Sequence, residues 1–132
     1  MSARKEIQSL ENLERALARL DEALGVPIDA PLAIDGTIQR FEVAIELTWK
    51  TLKRFLDVEG IATTTPREAL RAAHAAGRID DEAAWLAMLS DRNATSHIHD
   101  EVKARQIYER IRGYAPVMRD AALVLQQRAE AV

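Results

Sequence analysis

The spacing of apolar residues constrains this chain most: they recur every three or four positions and never alternate as a half-buried strand would. In "ARKEIQSLENLERALARLDEAL", Ile7, Leu10, Leu13, Leu17, Leu20 and Leu24 fall on one face of a helix. The run stops at "GVPIDAP", where Gly25, Pro27 and Pro31 supply helix-end and turn chemistry. The segment "DGTIQRFEVAIELTWKTLKRFLDVEG" sets Ile38, Phe41, Ile45, Thr48, Leu52 and Phe55 in one stripe, widened by Val43, Leu47, Trp49 and Leu56. A helix this broadly apolar is predicted to be the central core element, ending before Gly60, with Lys50, Lys53 and Arg54 on its other side. Thr65 as N-cap, Pro66 at the first helical position and Glu68 as capping-box partner open a short helix that ends near Gly77. Asp80 or Asp81 opens the next, with Trp85, Leu86, Met88 and Leu89 apolar. Residues 100–131 are predicted helical, with Val102, Ile107, Ile111 and Tyr114 facing in and Pro116 breaking or kinking the helix near Gly113 to Ala115.

These elements predict an all-α protein: an antiparallel up-and-down four-helix bundle with one extra short helix, one domain over residues 1–132. With 48% apolar and 30% charged residues, the chain is long enough to bury one core and too short for two comfortable ones. Having no cysteine, it can form neither disulfides nor a thiolate zinc site. No apolar run approaches the roughly 20 residues that cross a bilayer, and the N-terminus passes straight into charged helical sequence. The expectation is a cytoplasmic protein with no membrane association. A net charge of −3 argues against a constitutive, charge-driven nucleic-acid binder. The charge is uneven, however: residues 1–65 carry eight bases and eleven acids, whereas residues 66–132 carry ten of each.

Chemistry concentrates in "SDRNATSHIHDE", residues 90–101. On a continuous α-helix Arg92 and His97 would stand roughly 140° apart around the axis, so they share no face. Cooperation between them needs the helix to end near His97, the long arginine to reach around, or a two-fold partner to bring its own copy close. A histidine titrates near neutrality and exchanges protons with a hydroxyl, while an arginine presents fixed donors to a phosphate and stabilises charge that builds on it. Together they are minimal equipment for cutting RNA through its own 2′-hydroxyl, with Asn93 orienting the histidine or the phosphate. On spacing alone the structural reading is favoured, because Asp91, Asn93, Thr95, Ser96 and Asp100 are capping residues suited to a helix junction. A metal site at His97, His99 and Asp100 is not expected. Histidines two apart leave a helix on opposite sides, and His74 is the one further histidine. Arg67, Arg71, His74 and Arg78, spaced four, three and four, form a basic stripe that could track phosphates, although such a stripe is more often a solvated face. Trp49, Trp85, Phe41 and Phe55 sit at core spacing, and Tyr108 is read as half-buried.

The runs "FEVAIELTWKTLKRFLDVEGI", "TPREALRAAHAAGRI", "WLAMLSDRNATSHIHDE" and "IYERI" follow one another as they do in the nucleotidyltransferase substrate-binding proteins, a branch of the HEPN superfamily. The resemblance spans nearly the whole chain, the first helix being least diagnostic. It implies a helical bundle that forms homodimers and a complex with a cognate minimal nucleotidyltransferase. It also implies a toxin that cleaves RNA without metal or other cofactor, or else a module that binds substrate, such as a nucleotide, for its partner. The family's arginine, polar residue and histidine fall on Arg92, Asn93 and His97, the implied catalytic set. Ser96, His99, Arg67, Arg71 and Arg78 are the further candidates for substrate binding. Many relatives carry a tyrosine two residues after the histidine that the partner can adenylylate. Here that position is His99, which puts control through that hydroxyl in doubt.

Overall fold

Among the described residues, five α-helices carry the chain: α1 (Ala3–Leu24), α2 (Ala33–Val58), α3 (Pro66–Ala75), α4 (Glu82–Ala94) and α5 (Glu101–Glu130). A short 3-10 turn, Thr95–His97, follows α4. The computed structural model describes residues 3–98 and 100–130, and no strand occurs among them. The all-α bundle expected from apolar spacing is therefore the observed fold.

α2 is the hub, packing against all four other helices. Its Phe41, Ala44, Ile45, Leu52 and Leu56 are fully buried, as the breadth of its apolar stripe requires. α1 contributes Leu10, Leu13, Leu17 and Leu20, and α5 contributes Ile107, Ile111, Met118 and Leu125. α1 and α2 are also joined through their polar sides, where the buried Ser9 and Thr51 hydroxyls lie 2.6 Å apart. α3 opens with the expected capping box: Thr65 Oγ1 accepts from the Glu68 N–H, and Glu68 Oε2 accepts from the N–H of Thr65. Asp81, the second of the two aspartates named above, caps α4 by accepting from the Ala84 N–H at 3.0 Å.

Expectations at five residues are corrected. Pro116 does not break the last helix, since α5 runs unbroken through it. Arg112, Gly113 and Pro116 are all exposed, so the carbonyl deprived of its N–H donor lies on the solvent side of the helix. Val102 is 67% exposed because it sits in the first turn of α5 beyond the facing elements, and Ile7 is 37% exposed although Glu6 and Ser9 beside it are buried. Tyr108, read as half-buried, is fully buried, and its hydroxyl accepts from Arg112 Nη2 at 2.6 Å. Arg78 belongs to no helix and is turned inward, which removes it from the basic stripe.

Candidate functional site

α4 closes with Ala94, and the chain then tightens into the 3-10 turn before Ile98 becomes extended. A helix end near His97, one condition for an arginine–histidine pair, is thus met. The tighter turn nevertheless carries His97 further round, to about 180° from Arg92 at roughly 100° per α-residue and 120° per 3-10 residue. Arg92 is half-buried and turned towards the bundle, whereas Asn93, Ser96 and His97 are exposed. Among the described residues, no hydrogen bond or ion pair joins Arg92 to His97. Arg92 Nε is buried without a hydrogen-bond partner among the described residues. A buried guanidinium N–H left unpaired is costly, and such groups call for an explanation.

The junction is held by side chains the sequence offered only as generic caps, or not at all. Asp91 caps nothing. Its carboxylate, 14% exposed, accepts from Arg110 Nε at 2.8 Å and Arg110 Nη2 at 3.0 Å, a bidentate fork across to α5. It also accepts from the Tyr114 hydroxyl at 2.6 Å. Tyr114 in turn stacks on the buried Phe41 of α2, with ring centroids 5.8 Å apart. Burial, donation to Asp91 and the Asp91 negative charge together push the Tyr114 phenol up to about 12. On the other side of Arg92, the Thr95 hydroxyl lies 2.6 Å from Glu42 Oε2 and 2.7 Å from the Arg92 carbonyl, its one proton shared between two acceptors. Ser96 bonds back to the Asn93 carbonyl at 3.2 Å, and Asp100 caps α5 by accepting from the Lys103 N–H at 2.8 Å. Glu42, Arg110 and Tyr114 are site residues that the sequence reading misses. The available signal is the i, i+4 spacing of Arg110 and Tyr114 on α5, which places both on one face.

The remaining candidates separate. Arg67 and Arg71 are exposed on α3, and His74 stands 3.8 Å from Glu82. Arg78 is instead 8% exposed and bound to Glu59, which also lies 3.9 Å from Arg128. It ties the ends of α2 and α5 to the α3–α4 connection and is unavailable to a phosphate. His99 lies outside the described residues. Five cavities of 140–380 Å³ are described, and none is lined by Arg92, Asn93 or His97. Within one chain Asn93 and His97 stand on open surface, whereas Arg92 is half-buried.

Residues 8–127 match the family described as nucleotidyltransferase substrate binding protein like. The chain belongs to that family. A Haemophilus influenzae relative named probable ribonuclease HepT is 39% identical over 83 residues, which cover 59% of this chain and 57% of that protein. The chain thus spans little more than half the length of this relative. A solved structure from Thermus thermophilus shares the fold at a TM-score of 0.77 and 35% identity, covering 83% of this chain and 94% of that one. A Haemophilus influenzae structure, described as revealing the fold of a substrate binding domain of a nucleotidyltransferase, aligns at a TM-score of 0.68 and 28% identity over 94% of this chain and 98% of that one. Within this helix junction, Arg92 Nε is the buried side-chain polar atom left without a hydrogen-bond partner among the described residues. No described helix is long and apolar enough to cross a membrane.

Proposed function

We propose that this chain is a HEPN-type toxin: a cytoplasmic, homodimeric endoribonuclease that needs no metal and is held in check by a cognate minimal nucleotidyltransferase. The observation that carries the reading is Arg92, whose buried Nε has no hydrogen-bond partner among the described residues and which lies one short turn of chain before an exposed histidine. The relative named probable ribonuclease HepT supports RNA as the substrate. In this reading His97 takes the proton from a ribose 2′-hydroxyl, whose oxygen attacks the adjacent phosphorus. The bond from phosphorus to the 5′-oxygen breaks, and the protonated His97 returns its proton to that leaving oxygen. The products are a 2′,3′-cyclic phosphate and a 5′-hydroxyl. Arg92 donates to the non-bridging phosphate oxygens, where charge builds. Asn93, exposed beside it, orients the phosphate. A two-fold copy supplies the walls that the open surface lacks within one chain.

The test is cleavage of single-stranded RNA by purified protein, with and without chelator, against Arg92→Ala and His97→Ala. Each substitution should cost about 10²- to 10⁴-fold in rate, and chelator should cost nothing. Equal rates for wild type and His97→Ala would remove the reading. The second reading is a non-catalytic module that binds nucleotide or substrate for a nucleotidyltransferase, as the description of the Haemophilus structure suggests. Its signature is nucleotide or partner affinity that depends on Arg92, without turnover.

A further inference from the structure

Apolar packing does not fix the place of the arginine–histidine turn. Among the described residues, Met88 is the last fully buried residue of α4, and the next buried residues along the chain are Ile107 and Tyr108 on α5. Leu89 and Ile98 pack partly against the core, but from Ser90 to His97 the sole apolar side chain is Ala94, which is exposed. A 3-10 turn with no buried apolar anchor would sample several poses, since its intrinsic hydrogen bonding is poor. Two polar clamps stand in for the absent anchor. On one side of Arg92, Asp91 is forked by Arg110 and capped by Tyr114, both from α5. On the other, Thr95 rests on the Glu42 carboxylate from α2 and on the Arg92 carbonyl itself. Both clamps converge on one dipeptide of α2, because Phe41 carries the Tyr114 ring and Glu42 carries Thr95.

We propose that Asp91 and Glu42, neither of which belongs to the arginine–histidine motif, are positioning residues that fasten the turn to α5 and α2 and so set where Arg92 and His97 stand. The inference rests on reading that motif as a ribonuclease site. Glu42 acts through Thr95 and Asp91 through the last turn of α4, so neither needs to touch the RNA. What the Glu42 clamp requires is an acceptor oxygen, not a charge. A glutamine there keeps the acceptor, and a valine at Thr95 keeps the shape while removing the hydroxyl.

The experiment measures kcat and KM for RNA cleavage, together with thermal melting, in Glu42→Ala, Glu42→Gln, Thr95→Val and Asp91→Ala. Loosened positioning should lower kcat between about 10- and 100-fold in Glu42→Ala, Thr95→Val and Asp91→Ala, with KM within about twofold of wild type. Glu42→Gln should recover to within a few-fold of wild type. Should Glu42→Ala fail to fold, the near-isosteric Thr95→Val decides. Wild-type rates in Glu42→Ala and Thr95→Val overturn the proposal. So does a Glu42→Gln variant as slow as Glu42→Ala, because the carboxylate would then be taking part in the chemistry. A fall in kcat that only tracks the fall in melting temperature across the series overturns it too. Failure of the underlying reading looks different: the wild type itself leaves RNA intact, which removes the site and its clamps together.

Discussion

Leu32 is the one non-glycine residue among those described with a left-handed backbone, at φ 68° and ψ 5°. It stands at the N-cap of α2, gives no side-chain cap, and is 77% exposed. Its Cβ costs about 1–2 kcal/mol in this conformation, while its side chain recovers little by burial. Leu32→Gly should therefore raise stability by about 1 kcal/mol in urea denaturation, even after the extra freedom glycine gives the unfolded chain. An unchanged or lowered midpoint would show that the leucine contributes through contacts its exposure conceals. Tyr114 illustrates a single group read through pH. Its phenol is pushed to about 12 when folded, against an ordinary value near 10, so the unfolded chain releases the proton first as pH rises. The contribution of Tyr114 is thus complete below about pH 10 and is lost between roughly pH 10 and 12. Tyr114→Phe keeps the ring on Phe41 and removes the donation to Asp91. It should cost about 1 kcal/mol near neutrality and flatten that part of the alkaline loss in stability-versus-pH curves.

At the scale of elements, α5 shows why boundaries and faces are legible unequally. The capping box at Thr65 and Glu68 is written in adjacent residues, and the helix starts where those residues say. The apolar stripe of α2 names its buried face because its neighbours lie on both sides of it. Pro116 misleads because its cost depends on which way the freed carbonyl faces, which follows from packing and not from the proline itself. Val102 misleads because periodicity reports a face without saying where along the helix its cover ends. Gly113 lies in the same stretch, exposed and mid-helix, with nothing within 4 Å of an added Cβ and no positive φ. Gly113→Ala should therefore stabilise the protein by about 1 kcal/mol, measured as a shifted denaturation midpoint with unchanged slope. A destabilised variant would mean that α5 needs glycine's freedom to pass the proline.

For the whole molecule, the question is how two residues on nearly opposite sides of one turn can serve one phosphate. The residue types are readable from "RNATSH", and so is their angular mismatch. The acids and bases that hold the turn are not, because Glu42 and Arg110 reach it from helices distant in sequence. Helix termination, which could have closed the angle, opens it further, since the 3-10 turn winds more tightly than the α-helix it replaces. In the proposed homodimer a two-fold axis remains: Arg92 of one protomer facing His97 of its partner would make two composite sites per dimer. This arrangement has a consequence that a site within one chain does not share. Mixed Arg92→Ala and His97→Ala proteins, each inactive alone, would form heterodimers in which one site carries both substitutions and the other carries neither. Random exchange makes half of the dimers heterodimers with one intact site of two, so RNA cleavage should return to about a quarter of the wild-type rate. With each site confined to one chain, every site in the mixture would lack one group, and mixing would restore nothing.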